Sequence, residues 1–130
     1  MPVLFQSHIT RADLRANPKA YYIFGDNLQR VGLGGQAREM RGEPNAIGIP
    51  TKKAPNNSST SFFTDADYPY LELLWTQSFL PISSHLKASR TIIFPLSPLG
   101  SGRAALPTLA PKCYKYLSNL VALLAGEYPP

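Results

Sequence analysis

A short glycine-rich stretch has the residue types of a loop that binds an anion. Gly32, Gly34 and Gly35 lack a Cβ, so their backbone N–H groups can approach a ligand closely. Gln36 begins a predicted helix over 36–40, whose first free N–H groups would point back toward the glycines. Such loops hold phosphate or pyrophosphate groups. The spacing alone fits an ordinary loop equally well.

Two predicted strands flank this stretch and end in polar residues. The aromatic and β-branched run at 21–24 indicates a buried strand that stops at Gly25, and the apolar run at 45–50 indicates another. Ligands in open α/β sheets bind outside the carboxyl ends of the strands. We therefore expect one crevice to be lined by residues from both strand ends, namely Gly25, Asp26, Asn27, Thr51 and Lys52.

A second glycine turn follows a later predicted strand at 91–94. It contains Gly100, Ser101, Gly102 and Arg103. Strands and helices alternate along the chain, and glycine turns follow at least two of the strands. This order predicts a single three-layer α/β/α domain over residues 1–130, with a mixed, mostly parallel sheet.

The later part of the chain supplies helices to cover this sheet. Apolar residues at spacings of three and four predict a helix over 68–87, kinked or divided at Pro81, with Trp75 in the core. A last amphipathic helix is predicted over 109–124 and ends at Gly126.

The composition fits a soluble globular domain with one core. The chain has 130 residues, 44% of them hydrophobic and 16% charged, and no apolar run of membrane-spanning length. The first residues lack the basic start and apolar stretch of a secretory signal, so we predict a cytoplasmic protein with no membrane partner. The net charge of +5 favours an anionic partner such as a nucleotide.

Cysteine and histidine usage favours a domain without a metal site. Cys113 has no second cysteine to pair with, and its place on a predicted amphipathic helix favours a buried, neutral thiol. His8 and His85 lie far apart, outside any cluster with metal-ligand spacing. We predict neither a metal nor a cofactor.

Residues 54–66 are rich in Asn, Ser and Thr and predict a surface loop. The loop follows the strand that ends near Lys52. It could close over a ligand as a lid or be a plain surface excursion, and the sequence leaves both open.

The order of four short motifs resembles that of a known superfamily. A strand followed by FGDN, a glycine-rich turn, a strand ending in IPTK and a late strand followed by GSG resemble the macrodomains, which are ADP-ribose-binding modules. The likeness is to the macro-like proteins of bacteria and their phages, over about Tyr21 to Tyr116. It implies a macrodomain-like fold whose two glycine loops flank the diphosphate of ADP-ribose. Asp26 or Asn27 would contact the ribose or the base.

The resemblance also implies a role for Lys52. In the similar branch of macrodomains, a lysine at the end of this strand attacks the ribose anomeric carbon and removes ADP-ribose from acidic side chains or DNA bases. Such a lysine needs a lowered pKa. A phosphate contact or a solvated lysine are the alternatives for Lys52. Arg103 stands where those enzymes carry an acidic residue and could bind a phosphate instead, while Asp26 could supply the missing carboxylate.

Three functions are therefore open. The first is binding of ADP-ribose or a related NAD-derived nucleotide, with hydrolysis of ADP-ribose from a modified protein or nucleic acid as a further activity. The second is a non-catalytic module that senses or sequesters a nucleotide. The third is nucleic-acid binding, which the basic charge and the tyrosines favour less strongly.

Overall fold

Four strands form one parallel sheet in this computed structural model, which describes residues 2–130. The strands are β1 (Val3–Gln6), β2 (Tyr21–Asn27), β3 (Ala46–Lys52) and β4 (Ile92–Pro95), and their order across the sheet is β1-β4-β2-β3. Each of the three strand pairings is parallel. The predicted, mostly parallel sheet is confirmed, and within residues 2–130 its antiparallel part is limited to an isolated bridge between Lys52 and Phe62.

Helices cover both faces of this sheet. They are α1 (Arg11–Ala16), α2 (Ala37–Met40), α3 (Tyr68–Ser78), α4 (Leu80–Lys87), α5 (Leu106–Leu109) and α6 (Pro111–Glu127). On one face, α1 and α2 bury Leu14 and Met40 against Tyr22 and Phe24 of β2. The other face packs against α3, α4 and α6. This confirms the three-layer α/β/α fold. None of the helices in residues 2–130 is both long and apolar enough to span a bilayer.

Strand β2 is longer than its local composition predicts. It does not stop at Gly25 but continues through Asn27, because Gly25 and Asp26 pair with Ile49 and Pro50 of β3. Gly, Asp and Asn are rare in strands, so propensity alone ends the strand too early. The pairing with β3 overrides that preference and carries the polar side chains along the sheet.

The helical predictions are confirmed at Pro81 and for the last helix, except at the two ends of that helix. The segment over 68–87 divides into α3 and α4, with Pro81 in the first turn of α4, and Trp75 is fully buried. The helix predicted over 109–124 is confirmed as α6, but α6 begins at Pro111 and Leu109 belongs to the separate short helix α5, because Pro111 disfavours a helical conformation at the preceding residue. Gly126 lies inside α6, which ends at Glu127.

The topology opens a crevice at the carboxyl ends of the strands. Strand β4 lies between β1 and β2, and its loop leads to α5 and α6. The loops after β1 and β2 lead to α1 and α2, which cover the opposite face. Neighbouring strands whose loops leave to opposite faces create a ligand crevice beyond their carboxyl ends. The residues that the sequence predicts for the site are therefore expected at this edge of the sheet.

Candidate functional site

A cavity of about 520 Å³ lies at the carboxyl edge of the sheet. This volume is within the range of about 300–1,000 Å³ that is common for small-molecule sites. Every residue that the sequence predicts for the site lines the cavity: Gly25, Asp26, Asn27, Gly32, Gly34, Gly35, Gln36, Thr51, Lys52, Gly100, Ser101, Gly102 and Arg103. The structure thus brings the predicted residues together, and their roles toward a ligand stay predictions.

The two glycine loops, 28–35 and 97–104, approach each other across this cavity. A Cβ added at Gly34 would lie 2.9 Å from Nη1 of Arg103, so the arginine of the late loop reaches the first loop. Gly32 has a φ of +94°, a conformation that side-chain-bearing residues rarely adopt. Glycine is therefore required for the shape of the first loop and for the passage of Arg103 across it.

Lys52 is buried at the end of β3. Its Nζ donates a hydrogen bond to the Asn56 carbonyl at 2.7 Å and lies 4.5 Å from the centroid of the Phe62 ring. Burial, and after it the positive charge of Arg103, lowers the pKa of Lys52 below its usual value. The neutral amine, which is the nucleophilic form, is therefore easier to form than in a solvated lysine.

The carboxylate of Asp26 forms ion pairs with two arginines. Its side chain is 3% exposed and accepts hydrogen bonds from Arg41, at 2.5 Å on Oδ1 and 3.2 Å on Oδ2. Arg30 approaches Oδ2 at 3.5 Å, and the N–H of Asn27 donates to Oδ1 at 2.8 Å. A carboxylate held in this way is not free to serve as the acid/base partner of Lys52.

Asn27 and Thr51 make contacts that shape the strand ends. The Asn27 side chain donates to the Val31 carbonyl at 2.8 Å and accepts from the Gln29 N–H at 3.0 Å, which folds the start of the glycine loop over the end of β2. The Thr51 hydroxyl donates to the Asp26 carbonyl at 3.4 Å. Both side chains line the cavity, but their polar atoms are mainly used within the protein.

Gln36 retains an unused acceptor beside the cavity. Within residues 2–130, its Oε1 is the one buried side-chain polar atom that has no hydrogen-bond partner. A buried acceptor without a donor costs free energy. A hydroxyl or N–H group of a ligand, or a water molecule, would relieve that cost.

Sequence reasoning missed Arg41 and the end of β1. Gln6 ends β1, Ser7 and His8 follow it, and all three line the cavity, while Arg41 follows α2. The residues at the end of β1 could have been predicted from the sequence, because all parallel strands of a sheet end at the same edge. Arg41 could not have been predicted in this way, because its partner Asp26 lies 15 residues away in the sequence.

The charges around the cavity favour an anion. In the described chain, the lining contains the cations Arg41, Lys52 and Arg103 and the single carboxylate of Asp26. Asp26 is paired with Arg41, so Lys52 and Arg103 are the lining cations that have no carboxylate partner within residues 2–130. Low-dielectric walls strengthen the attraction of such a site for a negatively charged group.

The 54–66 segment is better anchored than a plain surface loop. Ser61 and Phe63 are buried, and the Lys53 N–H donates to the Ser61 carbonyl at 2.8 Å. Short 3₁₀ turns at Ser59–Ser61 and Asp65–Asp67 complete the segment. Its surface prediction is therefore wrong at Ser61 and Phe63. A lid function stays a prediction.

Cys113 is the buried, neutral thiol that the sequence predicts. Burial, followed by the negative charge of Asp65, raises its pKa from 9.0 to about 11. The thiol donates toward the Thr64 carbonyl at 3.7 Å. Cys113 is therefore inert as a nucleophile near neutral pH. No group of three or more His, Cys, Asp or Glu side chains in residues 2–130 is arranged to hold a metal ion.

One family matches most of the chain. Residues 4–120 match the family of unknown function DUF7831. The chain belongs to this family. The DUF7831 match includes every residue that lines the cavity, so the candidate site lies wholly within the family domain. Comparison with curated proteins and with solved structures found no match.

Proposed function

We propose that the cavity binds ADP-ribose or a related NAD-derived nucleotide. The observation that carries this proposal is the pair of glycine loops on one cavity, with Arg103 reaching across to Gly34. A diphosphate between the loops would accept hydrogen bonds from backbone N–H groups on one side and from the guanidinium on the other. The resemblance of the motifs to macrodomains supplies the identity of the nucleotide.

The free backbone donors of the first loop support the same proposal. In the part of the chain that the structure describes, the N–H groups of residues 32–35 make no hydrogen bond to protein. Exposed loops can satisfy such groups with water, but a diphosphate would collect several of them at once. Lys52 and Arg103 add positive charge to the same cavity. An uncharged sugar or an extended peptide would leave these donors and charges largely unused.

Binding is better supported than hydrolysis. The lowered pKa of Lys52 is suited to attack on the ribose anomeric carbon, with the bonding electrons leaving on the carboxylate or base and water later releasing ADP-ribose. The proton transfers of that reaction need an acid/base group, and Asp26 is occupied by Arg41. We therefore propose a binding module first, and hydrolysis through Lys52 as the second candidate.

Chemical-shift mapping tests the proposed ligand. ADP-ribose added to ¹⁵N-labelled protein should shift the backbone amides of both glycine loops together, with smaller shifts on α1 and α6. ATP should shift fewer amides outside the glycine loops, because it lacks the distal ribose. A short oligonucleotide that shifts amides on a basic surface outside the cavity, while ADP-ribose shifts none, would replace this proposal with nucleic-acid binding.

Lys52→Ala separates the two candidate activities. If Lys52 is the nucleophile, we expect the release of ADP-ribose to fall at least about a hundredfold, whereas ADP-ribose affinity should fall much less, by the loss of one charge at the site. The substrates are a protein carrying ADP-ribose on acidic side chains and an oligonucleotide carrying it on its bases. Lys53→Ala is the control, because Lys53 pairs with Asp67 at 3.7 Å and does not line the cavity. A wild-type protein that binds ADP-ribose but releases none from either substrate would exclude hydrolysis of these linkages.

A further inference from the structure

We infer that the Asp26–Arg41 ion pair is a positioning device that holds the glycine loop over 31–35 in the shape that receives a ligand. The inference rests on the proposed function for the identity of that ligand. It also assigns Asp26 a role different from ribose contact or proton transfer.

Arg41 joins the glycine loop to the end of β2. Its Nε donates to the Gly32 carbonyl at 2.7 Å, and its Nη2 donates to the Val31 carbonyl at 3.2 Å. Nη1 and Nη2 also donate to the Asp26 carboxylate. A guanidinium has five N–H donors, and these four hydrogen bonds use all but one of them. Arg41 is thus engaged mainly by the protein and has one N–H donor left, although it borders the cavity.

These contacts fix the direction of the loop donors. In a trans peptide the C=O and the following N–H point in opposite directions. When the carbonyls of Val31 and Gly32 face Arg41, the N–H groups of Gly32 and Leu33 face away from it. These N–H groups have no protein acceptor within residues 2–130. Arg41 therefore fixes the direction of two successive unused donors, and successive N–H groups of this kind can bind an anion.

Asp26 in turn holds the guanidinium in place. A Cβ added at Gly48 would lie 2.6 Å from Oδ2 of Asp26, so glycine at this position lets the carboxylate lie flat on β3. The guanidinium carbon of Arg41 lies 5.6 Å from the centroid of the Phe24 ring, which gives the cation a second favourable contact. The pair is built into the sheet, and a buried charge that loses its partner is strongly unfavourable.

The geometry of arginine, and not only its charge, is required by this arrangement. A lysine at position 41 could neutralise Asp26 but could not also bind the two carbonyls in a fixed plane. We therefore expect Arg41→Lys and Arg41→Met to behave alike toward the ligand. Asp26→Asn keeps the side-chain shape and removes the charge that orients Arg41. Arg38→Met, one turn earlier in α2, is the matched control because the Arg38 side chain is exposed and outside the cavity.

Two measurements on these variants test the inference. The first is the ¹H–¹⁵N heteronuclear NOE of residues 31–35 without ligand, and the second is the affinity for ADP-ribose. We expect lower NOE values across the loop and an affinity loss of about tenfold or more in both Arg41 variants and in Asp26→Asn, with Arg38→Met unchanged. Thermal unfolding identifies variants that are simply unfolded. If Arg41→Met does not fold, Arg41→Lys and Asp26→Asn decide the question.

The results that would overturn this inference differ from the result that would overturn the proposed function. If Arg41→Lys keeps the NOE values and the affinity of the wild-type protein, the inference is overturned. The positive charge at position 41 would then be sufficient, and the geometry of arginine would not be required. Rigid loops in every variant would overturn it as well. If wild-type protein fails to bind ADP-ribose, the proposed ligand is wrong, whereas the NOE values of the free protein still show whether Arg41 orders the loop.

Discussion

Gly34→Glu should lose at least about a hundredfold in affinity for ADP-ribose while remaining folded, because a like charge in an anion site costs several kcal/mol. Gly34 is exposed, so the substitution leaves the core intact. Its new side chain would start 2.9 Å from Nη1 of Arg103. The glutamate carboxylate would pair with that guanidinium and occupy the space proposed for a phosphate. Calorimetric titration with ADP-ribose measures the loss.

Gly126→Glu is the matched control for this prediction. Gly126 lies near the end of α6, and a Cβ added there would meet no atom within 4 Å. The two variants have the same added charge and side chain, but only Gly34→Glu places them at the cavity. Equal affinities in the two variants would contradict the assignment of the first glycine loop to the ligand.

Trp75→Ala should lower the free energy of unfolding by about 3–5 kcal/mol, the cost of removing a large buried aromatic side chain. Trp75 is fully buried in the layer formed by α3. Its Nε1–H donates to the Pro50 carbonyl at 2.7 Å, and that carbonyl would lose its donor. Since Pro50 precedes Thr51 and Lys52 in β3, we also expect the cavity wall to become less ordered. Urea unfolding followed by circular dichroism measures the change.

Leu73→Ala on the same helix provides the comparison. Leu73 is 68% exposed, so its truncation removes little buried surface. We expect a change within about 0.5 kcal/mol, as is usual for exposed positions. A loss in Trp75→Ala no greater than that in Leu73→Ala would show that the packing described for α3 is wrong.

The fold could largely be predicted because its signals are local. Buried strands are visible as apolar runs, as at 91–94 for β4, and the division of the 68–87 segment is fixed by a single proline. Trp75 is predictable as a core residue from helical spacing alone. The strand order is less local, because the place of β4 between β1 and β2 depends on packing of both helical layers.

The lining of the site could be predicted, whereas the partners of its side chains could not. Parallel topology requires that strand ends meet at one edge, so residues after β2, β3 and β4 could be grouped from the sequence. The engagement of Asp26 by Arg41 depends on the path of the chain through α2, and nothing in the spacing of the two residues signals it. The same holds for the contact of Lys52 with Asn56, which follows from the fold of the 54–66 segment.

The most direct test of the central claim is a calorimetric titration of the folded wild-type protein with ADP-ribose, with NAD, ATP and a short oligonucleotide as controls. We predict a single site with micromolar or tighter affinity for ADP-ribose and weaker binding of ATP. Affinity should weaken at higher salt, since Lys52 and Arg103 would contribute charge to the site. Absence of ADP-ribose binding by well-folded protein would contradict the proposed function, and the likeness to macrodomains would then carry no functional meaning.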